Sequence, residues 1–204
     1  MKEVLVTGGA GFIGSCLTNF LIDNLNYRVV VIDDLSGGFI ENINSNAKFY
    51  QVSINEVDKI EDIFKSHKFE YVYHLAAYAA EGLSHFVRHF NYQNNLIGSI
   101  NLINASIKHK VSNFIFTSSI AVYGGLQSPM VETKDPLPED PYGIAKLAVE
   151  RDLFTAREMF GLNYTIFRPH NVYGIPQNIG DKYRNVIGIF MNNIMKGESL
   201  NIFG

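Results

Sequence analysis

The stretch EVLVTGGAGFIG, residues 3–14, decides how this chain is built. Its first half is apolar and β-branched, which predicts a buried strand, and three glycines follow at Gly8, Gly11 and Gly14. Glycines at this spacing allow a tight turn, let backbone N–H groups approach a pyrophosphate, and let a following helix pack on the strand. The sequence therefore predicts a dinucleotide-binding turn at the first junction of strand and helix.

A carboxylate ends the second predicted strand. Asp33 lies about 20 residues beyond Gly14, at the distance where an acidic side chain accepts hydrogen bonds from the adenosine ribose hydroxyls. A 2′-phosphate would be repelled there, so the sequence predicts NAD rather than NADP as the cofactor. The neighbouring Asp34 is either a second ligand or a solvated turn residue.

Apolar runs alternate with helix-length segments along most of the chain. Strands are predicted at 3–8, 28–33, 47–52, 70–76, 113–119 and 163–169. Helices are predicted at 12–25, 56–67, 89–109 and 141–160. Several strands are nearly continuously apolar, as strands buried on both faces of a parallel sheet are. We therefore expect an α/β fold, a doubly wound (Rossmann) parallel sheet flanked by helices.

The last part of the sequence predicts a second, incomplete unit. A helix is predicted over 184–196, and a strand begins at SLNIFG, residues 199–204, without a return partner. We expect residues 1–167 to form the NAD-binding domain and residues 168–204 to begin a substrate-binding region that looks truncated.

Composition excludes several classes of protein. Hydrophobic residues make up 47% of the chain and charged residues 18%, as in an ordinary globular protein. The net charge of −3, with no basic run, argues against nucleic-acid binding. The single cysteine rules out an intramolecular disulfide and fits a reducing compartment. No leader and no membrane-length apolar run is present, so we expect a cytoplasmic protein without a membrane span.

The segment EDPYGIAK, residues 139–146, carries a candidate catalytic pair. Asp140 and Pro141 suit the N-cap and first turn of a helix, which places Tyr142 and Lys146 on one helix face. Such a pair is also common by chance on solvated helices. A hydroxyl from the fifth strand's end, within TSS at 117–119, could join the pair, and a nearby ammonium lowers the pKa of a phenol. Together these groups suit removal of a hydride from a carbinol carbon.

Five motifs, in order, carry a family resemblance. They are TGGAGFIG (7–14), HLAA (74–77), TSSIAVYG (117–124), PYGIAK (141–146) and RPHNVYG (168–174). Together they resemble the extended short-chain dehydrogenase/reductase family, and within it the NAD-dependent nucleotide-sugar epimerases of the UDP-glucose 4-epimerase type. The resemblance implies that Ser119 holds the reacting hydroxyl, that Tyr142 is the base, and that Lys146 binds the nicotinamide ribose and tunes the tyrosine.

The resemblance also implies the ligand contacts. The expected cofactor-binding residues are Gly8, Gly11, Phe12, Ile13, Gly14, Asp33, Asp34, Ser53, Ile54, Leu75, Ala76, Ala77, Asn95, Tyr142, Lys146 and Pro169. The expected substrate-binding residues are Ser119, Tyr142, Asn171 and Asn185. The family's usual aspartate after the third strand is replaced by Ser53. A UDP-sugar is the implied substrate, and a homodimer through helices near 89–109 and 144–160 is the implied assembly.

Three reactions remain open at this point. Dehydratases of the family carry an Asp–Glu pair after the catalytic hydroxyl, where this chain has Ile120 and Ala121, so epimerisation is favoured over dehydration or decarboxylation. A simple carbonyl reductase shares the same catalytic triad. A truncated NAD-binding fragment without turnover is the non-enzymatic alternative.

Histidines add no predicted chemistry. His85 and His89 lie one helical turn apart, but no third ligand joins them in sequence, so we expect no metal site. His74, at the end of the fourth strand, is expected to be a packed structural residue.

Overall fold

A computed structural model describes residues 1–125, 129–180, 186–200 and 202 of the chain. Its centre is one sheet of six parallel strands in the order β3-β2-β1-β4-β5-β6. The strands are β1 Glu3–Thr7, β2 Arg28–Asp33, β3 Lys48–Gln51, β4 Tyr71–His74, β5 Asn113–Thr117 and β6 Tyr164–Phe167. The predicted doubly wound parallel sheet is confirmed, and each strand lies within its predicted range.

Helices connect these strands. They are α1 Phe12–Asp23, α2 Val57–Ser66, α3 Glu81–Ser84, α4 Arg88–Tyr92, α5 Gly98–Lys108, α6 Pro141–Phe160 and α7 Val186–Lys196. A π-helical segment, Gln93–Ile97, joins α4 to α5, and 3₁₀ turns occur at Ile40–Asn42 and Ile120–Tyr123. None of the described helices combines the length and the apolar character needed to cross a bilayer.

Two hydrophobic clusters hold helices against the sheet. The larger cluster joins one face of the sheet to α2, α5 and α6. Its largest fully buried side chains include Phe64, Phe114, Phe116 and Leu102. The smaller cluster packs Leu21 of α1 against the β1 and β2 valines on the opposite face. Buried on both faces, β1 and β2 are nearly all apolar, which accounts for their continuous hydrophobic runs.

The strand order creates a crevice at one edge of the sheet. The chain runs outward from β1 to β3 and then returns to pair β4 with the other side of β1. All carboxyl ends of the parallel strands meet at the same edge, and the loops diverge where the order reverses. A ligand site is therefore expected at the ends of β1 and β4.

Candidate active site

A cleft of about 1070 Å³ lies at the carboxyl edge of the strands. Its walls come from the glycine turn after β1, the end of β2, the loop after β4, the end of β5, the start of α6 and the loop after β6. Residues far apart in sequence, from Gly8 to Val186, therefore share one cavity.

The glycine turn leaves no room for side chains. Gly8 has a φ of 74°, and a Cβ on it would lie 2.7 Å from the backbone nitrogen of Ala76. A Cβ on Gly14 would lie 2.1 Å from the carbonyl oxygen of Gly8. Gly11 is the N-cap of α1 and has no side chain to cover the first N–H groups of that helix. Open N–H groups at a helix N-terminus suit a phosphate, so this turn fits a dinucleotide.

Asp33 is fixed at the cleft wall by two backbone groups. Its Oδ2 accepts a hydrogen bond from the Ala10 N–H over 3.0 Å, and its Oδ1 accepts from the Leu35 N–H over 2.8 Å. Burial raises the pKa of Asp33, while these two hydrogen bonds act in the opposite direction. Asp34 is exposed, and its Oδ1 accepts from the Ser36 N–H over 2.9 Å, so it stabilises the turn that follows β2.

Most residues predicted from the sequence do line this cleft. They are Gly8, Gly11, Phe12, Ile13, Gly14, Asp33, Asp34, Ile54, Leu75, Ala76, Ala77, Ser119, Tyr142, Lys146, Pro169 and Asn171. Ser53 and Asn95 do not belong to the lining, and Asn185 lies outside the described residues.

Ser53 takes part in the turn that leads into α2. Its backbone N–H donates to Glu56 Oε1 over 3.0 Å, and its hydroxyl oxygen accepts from the Asn55 N–H over 3.3 Å. The neighbouring residues Val52 and Ile54 line the cleft in its place. Ser53, which was expected to bind the cofactor, therefore lies outside the lining, and its hydroxyl accepts a hydrogen bond within the local turn.

Asn95 is buried in the π-helical segment behind the cleft. Its Oδ1 accepts from the Tyr78 N–H over 2.7 Å, and its Nδ2 donates to the Tyr78 carbonyl over 3.1 Å. Nδ2 also lies 2.8 Å from Asn91 Oδ1, and Asn91 Nδ2 donates to the Pro141 carbonyl over 2.9 Å. Asn95 thus acts on the cleft through the loop after β4 and the start of α6, as a positioning residue.

The candidate catalytic pair lies at the start of α6. Asp140 caps this helix, since its Oδ1 accepts from the N–H groups of Tyr142 and Gly143 over 2.8 and 3.0 Å. The cap and Pro141 fix the first turn, so Tyr142 and Lys146 both face the cleft. The predicted N-cap and the predicted helix bounds are both confirmed.

Lys146 is buried in the floor of the cleft. Its side-chain Nζ donates to the Thr117 carbonyl over 2.8 Å and lies 5.7 Å from the centre of the Tyr142 ring. The ammonium also lies 4.8 Å from the centre of the Phe116 ring. Burial lowers the pKa of Lys146 to about 7, although the carboxylate of Glu150 acts to raise it. A cation held this way stabilises negative charge that develops on the neighbouring phenol.

Ser119 joins these residues from the end of β5. It caps the 3₁₀ turn Ile120–Tyr123, and its Oγ accepts from the Ala121 N–H over 3.1 Å. This contact holds the hydroxyl oxygen at the cleft wall, where Tyr142 and Lys146 also lie. The three predicted catalytic residues therefore all line the same cleft.

A largely buried ion pair near the candidate catalytic residues was not predicted. Glu150 lies one turn after Lys146 and pairs with Arg168, whose Nε and Nη2 donate over 3.0 and 2.6 Å. Ser118 donates to Glu150 Oε1 over 2.5 Å, and Arg168 Nη1 donates to the Tyr123 hydroxyl over 2.8 Å. Glu150 raises the pKa of Arg168, so the guanidinium stays charged. The only sequence signal was the spacing of Glu150 from Lys146.

More than half of the lining residues were not among the residues predicted from sequence. They are Ala10, Ile32, Ser36, Gly37, Gly38, Phe39, Asn42, Val52, Tyr78, Ala79, Glu81, Gly82, Phe90, Asn94, Thr117, Ser118, Ile120, His170, Val172, Pro176, Gln177, Asn178, Gly180 and Val186. The SGG run at 36–38 was the clearest signal among them, since small residues let backbone approach a ligand.

Comparison with known proteins agrees with this geometry. The sequence model of the NAD dependent epimerase/dehydratase family matches residues 4–204. The chain belongs to this family. It is 37% identical, over 98% of its length, to a putative UDP-glucose 4-epimerase of Methanocaldococcus jannaschii.

Two solved structures are close in fold. A UDP-glucose 4-epimerase of Thermotoga maritima, crystallised with UDP-glucose, has a TM-score of 0.95 and 43% identity over 99% of this chain. A Thermus thermophilus UDP-glucose 4-epimerase, in complex with NAD, has a TM-score of 0.91 and 33% identity over 96% of this chain. The chain spans 66% of the length of the first two relatives and 63% of the third.

Proposed function

We propose that this chain carries the cofactor-binding and catalytic residues of an NAD-dependent nucleotide-sugar 4-epimerase, an isomerase that inverts C4 of a UDP-hexose. The proposal rests on one observation above all. Lys146 is buried beside the Tyr142 ring, at the floor of the same cleft that begins at the glycine turn. We also propose that residues 1–167 form the NAD-binding unit and that residues 168–204 begin a substrate-binding region.

The cofactor site follows from the glycine turn and Asp33. Bound NAD supplies a hydride acceptor and donor whose redox state is the same before and after each turnover. The N–H groups at the start of α1 would hold the pyrophosphate, and the Asp33 carboxylate would accept hydrogen bonds from the adenosine ribose hydroxyls. The rest of the cofactor site would be lined by Leu75, Ala76 and Ala77.

Proton transfer falls to the chain's own residues. As the C4 carbonyl forms, the C4 hydroxyl must lose its proton, and Tyr142 would accept it as a phenolate. The Lys146 ammonium lowers the free energy of that phenolate, and Ser119 would hold the reacting oxygen in line. Once the 4-keto sugar has turned over in the cleft, the opposite face of C4 would receive the hydride, and Tyr142 would return the proton to the C4 oxygen.

Two alternative reactions are less well supported. Elimination of water needs an acid and a base after the catalytic hydroxyl, but Ile120 lines the cleft there and Ala121 is buried. A carbonyl reductase would need no sugar-nucleotide contacts. Asn171 lines the cleft beyond the catalytic residues, in the motif that favours a UDP-sugar, and Asn185 follows it in sequence.

We further propose a cytoplasmic homodimer that does not bind nucleic acid. Apolar side chains are exposed on the two neighbouring helical segments that were predicted to pair, namely Ile97 on one and Ile144 and Phe154 on the other. Burying such side chains against a second copy would form a four-helix contact. The net charge of −3, without a basic run in the sequence, supports the absence of nucleic-acid binding.

Turnover with two sugar nucleotides tests the proposed reaction. We expect the chain with NAD to interconvert the C4 epimers of UDP-glucose or UDP-N-acetylglucosamine, resolved by chromatography. Tyr142→Phe should lower the rate at least about 100-fold, since general-base catalysis contributes that much or more, while NAD affinity changes little. Tyr164→Phe is the control, because Tyr164 is partly buried against the larger hydrophobic cluster and lies outside the cleft lining.

Two outcomes would contradict the proposal. Epimer formation at an unchanged rate in Tyr142→Phe would remove the tyrosine from the mechanism. NAD binding, measured by calorimetry, without any epimer formation would leave the 204-residue chain as an NAD-binding fragment without turnover.

A further inference from the structure

A series of buried hydrogen bonds runs from the cleft wall into the helix layer. The Ala76 N–H donates to Thr7 Oγ1 over 3.2 Å, and Thr7 Oγ1 lies 2.7 Å from His74 Nδ1. On the other side of the ring, His74 Nε2 lies 2.8 Å from Ser99 Oγ, and Ser99 donates to the Asn95 carbonyl over 2.8 Å. Thr7, His74 and Ser99 are all buried, and we call these three side chains the His74 bridge.

The partners at both ends assign every proton in the His74 bridge. The Ser99 proton goes to the Asn95 carbonyl, so Ser99 Oγ must accept from the His74 Nε2–H. The Thr7 oxygen accepts from the Ala76 N–H, which leaves its own proton for His74 Nδ1. For a neutral His74 ring these partners assign the proton to Nε2, and all bonds then point in one direction.

The surroundings of His74 also keep it uncharged. Its ring stacks on Phe116 with centres 5.7 Å apart, and the Lys146 ammonium lies 4.8 Å from the centre of that same phenyl ring. Burial, with the charge of Lys146 in addition, lowers the pKa of His74 to about 3. A second proton on the ring would place a cation beside a catalytic cation in an apolar layer.

Beyond the His74 bridge, further hydrogen bonds made by Asn95 reach both sides of the cleft. Asn95 holds Tyr78 through both backbone groups, and Tyr78 lines the cleft. Through Asn91, Asn95 also reaches the Pro141 carbonyl, one residue before Tyr142. The loop after β4 and the first turn of α6 are therefore tied to the same buried asparagine.

We propose that neutral His74 is a positioning residue. It holds the 75–78 loop, on the cofactor side of the cleft, at a fixed position relative to the first turn of α6, which carries Tyr142. This inference rests on the proposed function for the identity of the cofactor. It replaces the expectation that His74 merely packs. Its role is to fix the position of the Ala76 backbone next to Gly8. The two backbones are so close that a Cβ on Gly8 would lie 2.7 Å from the Ala76 nitrogen.

Matched pairs of buried hydroxyls test the proposal. Thr7→Val and Ser99→Ala each remove one member of the His74 bridge. Thr18→Val and Ser106→Ala are the controls, because Thr18 and Ser106 are equally buried but their hydroxyls have no hydrogen-bond partner among the described residues. We expect the first pair to weaken NAD binding about tenfold in calorimetry, and the controls to change it less than about twofold.

Melting temperatures separate positioning from simple loss of stability. If Thr7→Val and Thr18→Val melt alike and also bind NAD alike, the His74 bridge has no positioning role. If the wild-type chain itself fails to bind NAD, the proposed function is wrong. The inference, which takes NAD as the cofactor, is then wrong as well. Binding that falls only in the His74 bridge variants supports the proposal.

Nitrogen-15 NMR of labelled histidine gives an independent readout. We expect His74 to remain neutral, with Nε2 protonated and Nδ1 bare, between about pH 5 and 8, where ordinary histidines titrate. His85, which is exposed, is the internal control. Titration of His74 in that range, or a proton on Nδ1, would contradict the proposal even if every variant folds.

Discussion

Lys146 must satisfy two opposing requirements. Its position in the cleft floor desolvates the ammonium, which favours the neutral amine, yet support of a phenolate needs the charged form. Three features compensate in part: the Thr117 carbonyl, the Phe116 ring face and the Glu150 carboxylate. A carboxylate or phosphate arriving in the cleft would stabilise the charge further.

The burial of Lys146 should make stability depend on pH. Its pKa is about 7 in the fold and 10.5 in the unfolded chain, so the unfolded state binds more protons between these values and stability rises with pH there. We therefore expect Lys146→Met, without NAD, to melt higher than the wild type below about pH 7. The advantage should shrink as pH rises toward 10.5.

An exposed lysine provides the control for that measurement. Lys196→Met removes the same charge from a solvated helix end and should leave the pH dependence of melting unchanged. A Lys146→Met advantage that is constant from neutral to alkaline pH would show that the ammonium is not desolvated.

The sequence predicted which residues come together where those residues lie only a few positions apart. Tyr142 and Lys146 are four residues apart on one helix, and helical geometry alone places them together. The partners Glu150 and Arg168 were missed, because they meet only after β6 packs beside β5. His74 was predicted to pack, and its burial is confirmed, but its two hydrogen-bond partners come from β1 and α5.

At the scale of elements, the capping residues predicted the start of α6, the helix that carries Tyr142 and Lys146. The bounds of α6 were predicted in full. Asp140 and Pro141 predicted where it begins, and in the structure Gly161, with a φ of 73°, ends it. The run at 89–109 was predicted as one helix, but the π-helical segment inside it was not. The turn widens where Asn95 bonds to the Tyr78 loop, a contact that no local pattern reveals.

The glycine turn gives the prediction that belongs to this scale. Gly14→Ala should weaken NAD binding more than tenfold and lower the free energy of unfolding by about 1–3 kcal/mol, because its Cβ would overlap the Gly8 carbonyl. Calorimetry and urea unfolding measure the two effects. Gly125→Ala is the control, since Gly125 lies outside the cleft lining and its Cβ would meet only the end of the Glu139 side chain, 3.2 Å away. Equal NAD affinity in both variants would show that the turn does not hold the cofactor.

At the scale of the whole molecule, the two helical faces with exposed apolar residues predict assembly. Phe154→Glu should convert a dimer, seen by light scattering at micromolar concentration, into a monomer, because a charge there is costly to bury. Phe20→Glu is a matched control, since Phe20 on α1 is 52% exposed and Phe154 is 54% exposed. A wild-type chain that scatters as a monomer would contradict the homodimer.

The cleft draws its walls from Gly8 through Val186, so almost every strand contributes to one ligand site. A ligand that needs all those walls binds the native fold and has no counterpart in the unfolded chain. Its binding therefore adds to the free energy of unfolding of the whole sheet, by about 2.7 kcal/mol when its free concentration is 100 times its dissociation constant. In the cell, the concentration of that ligand would therefore set how long the polypeptide survives proteolysis. The amount of this protein would then follow the ligand concentration even when its rate of synthesis stays the same.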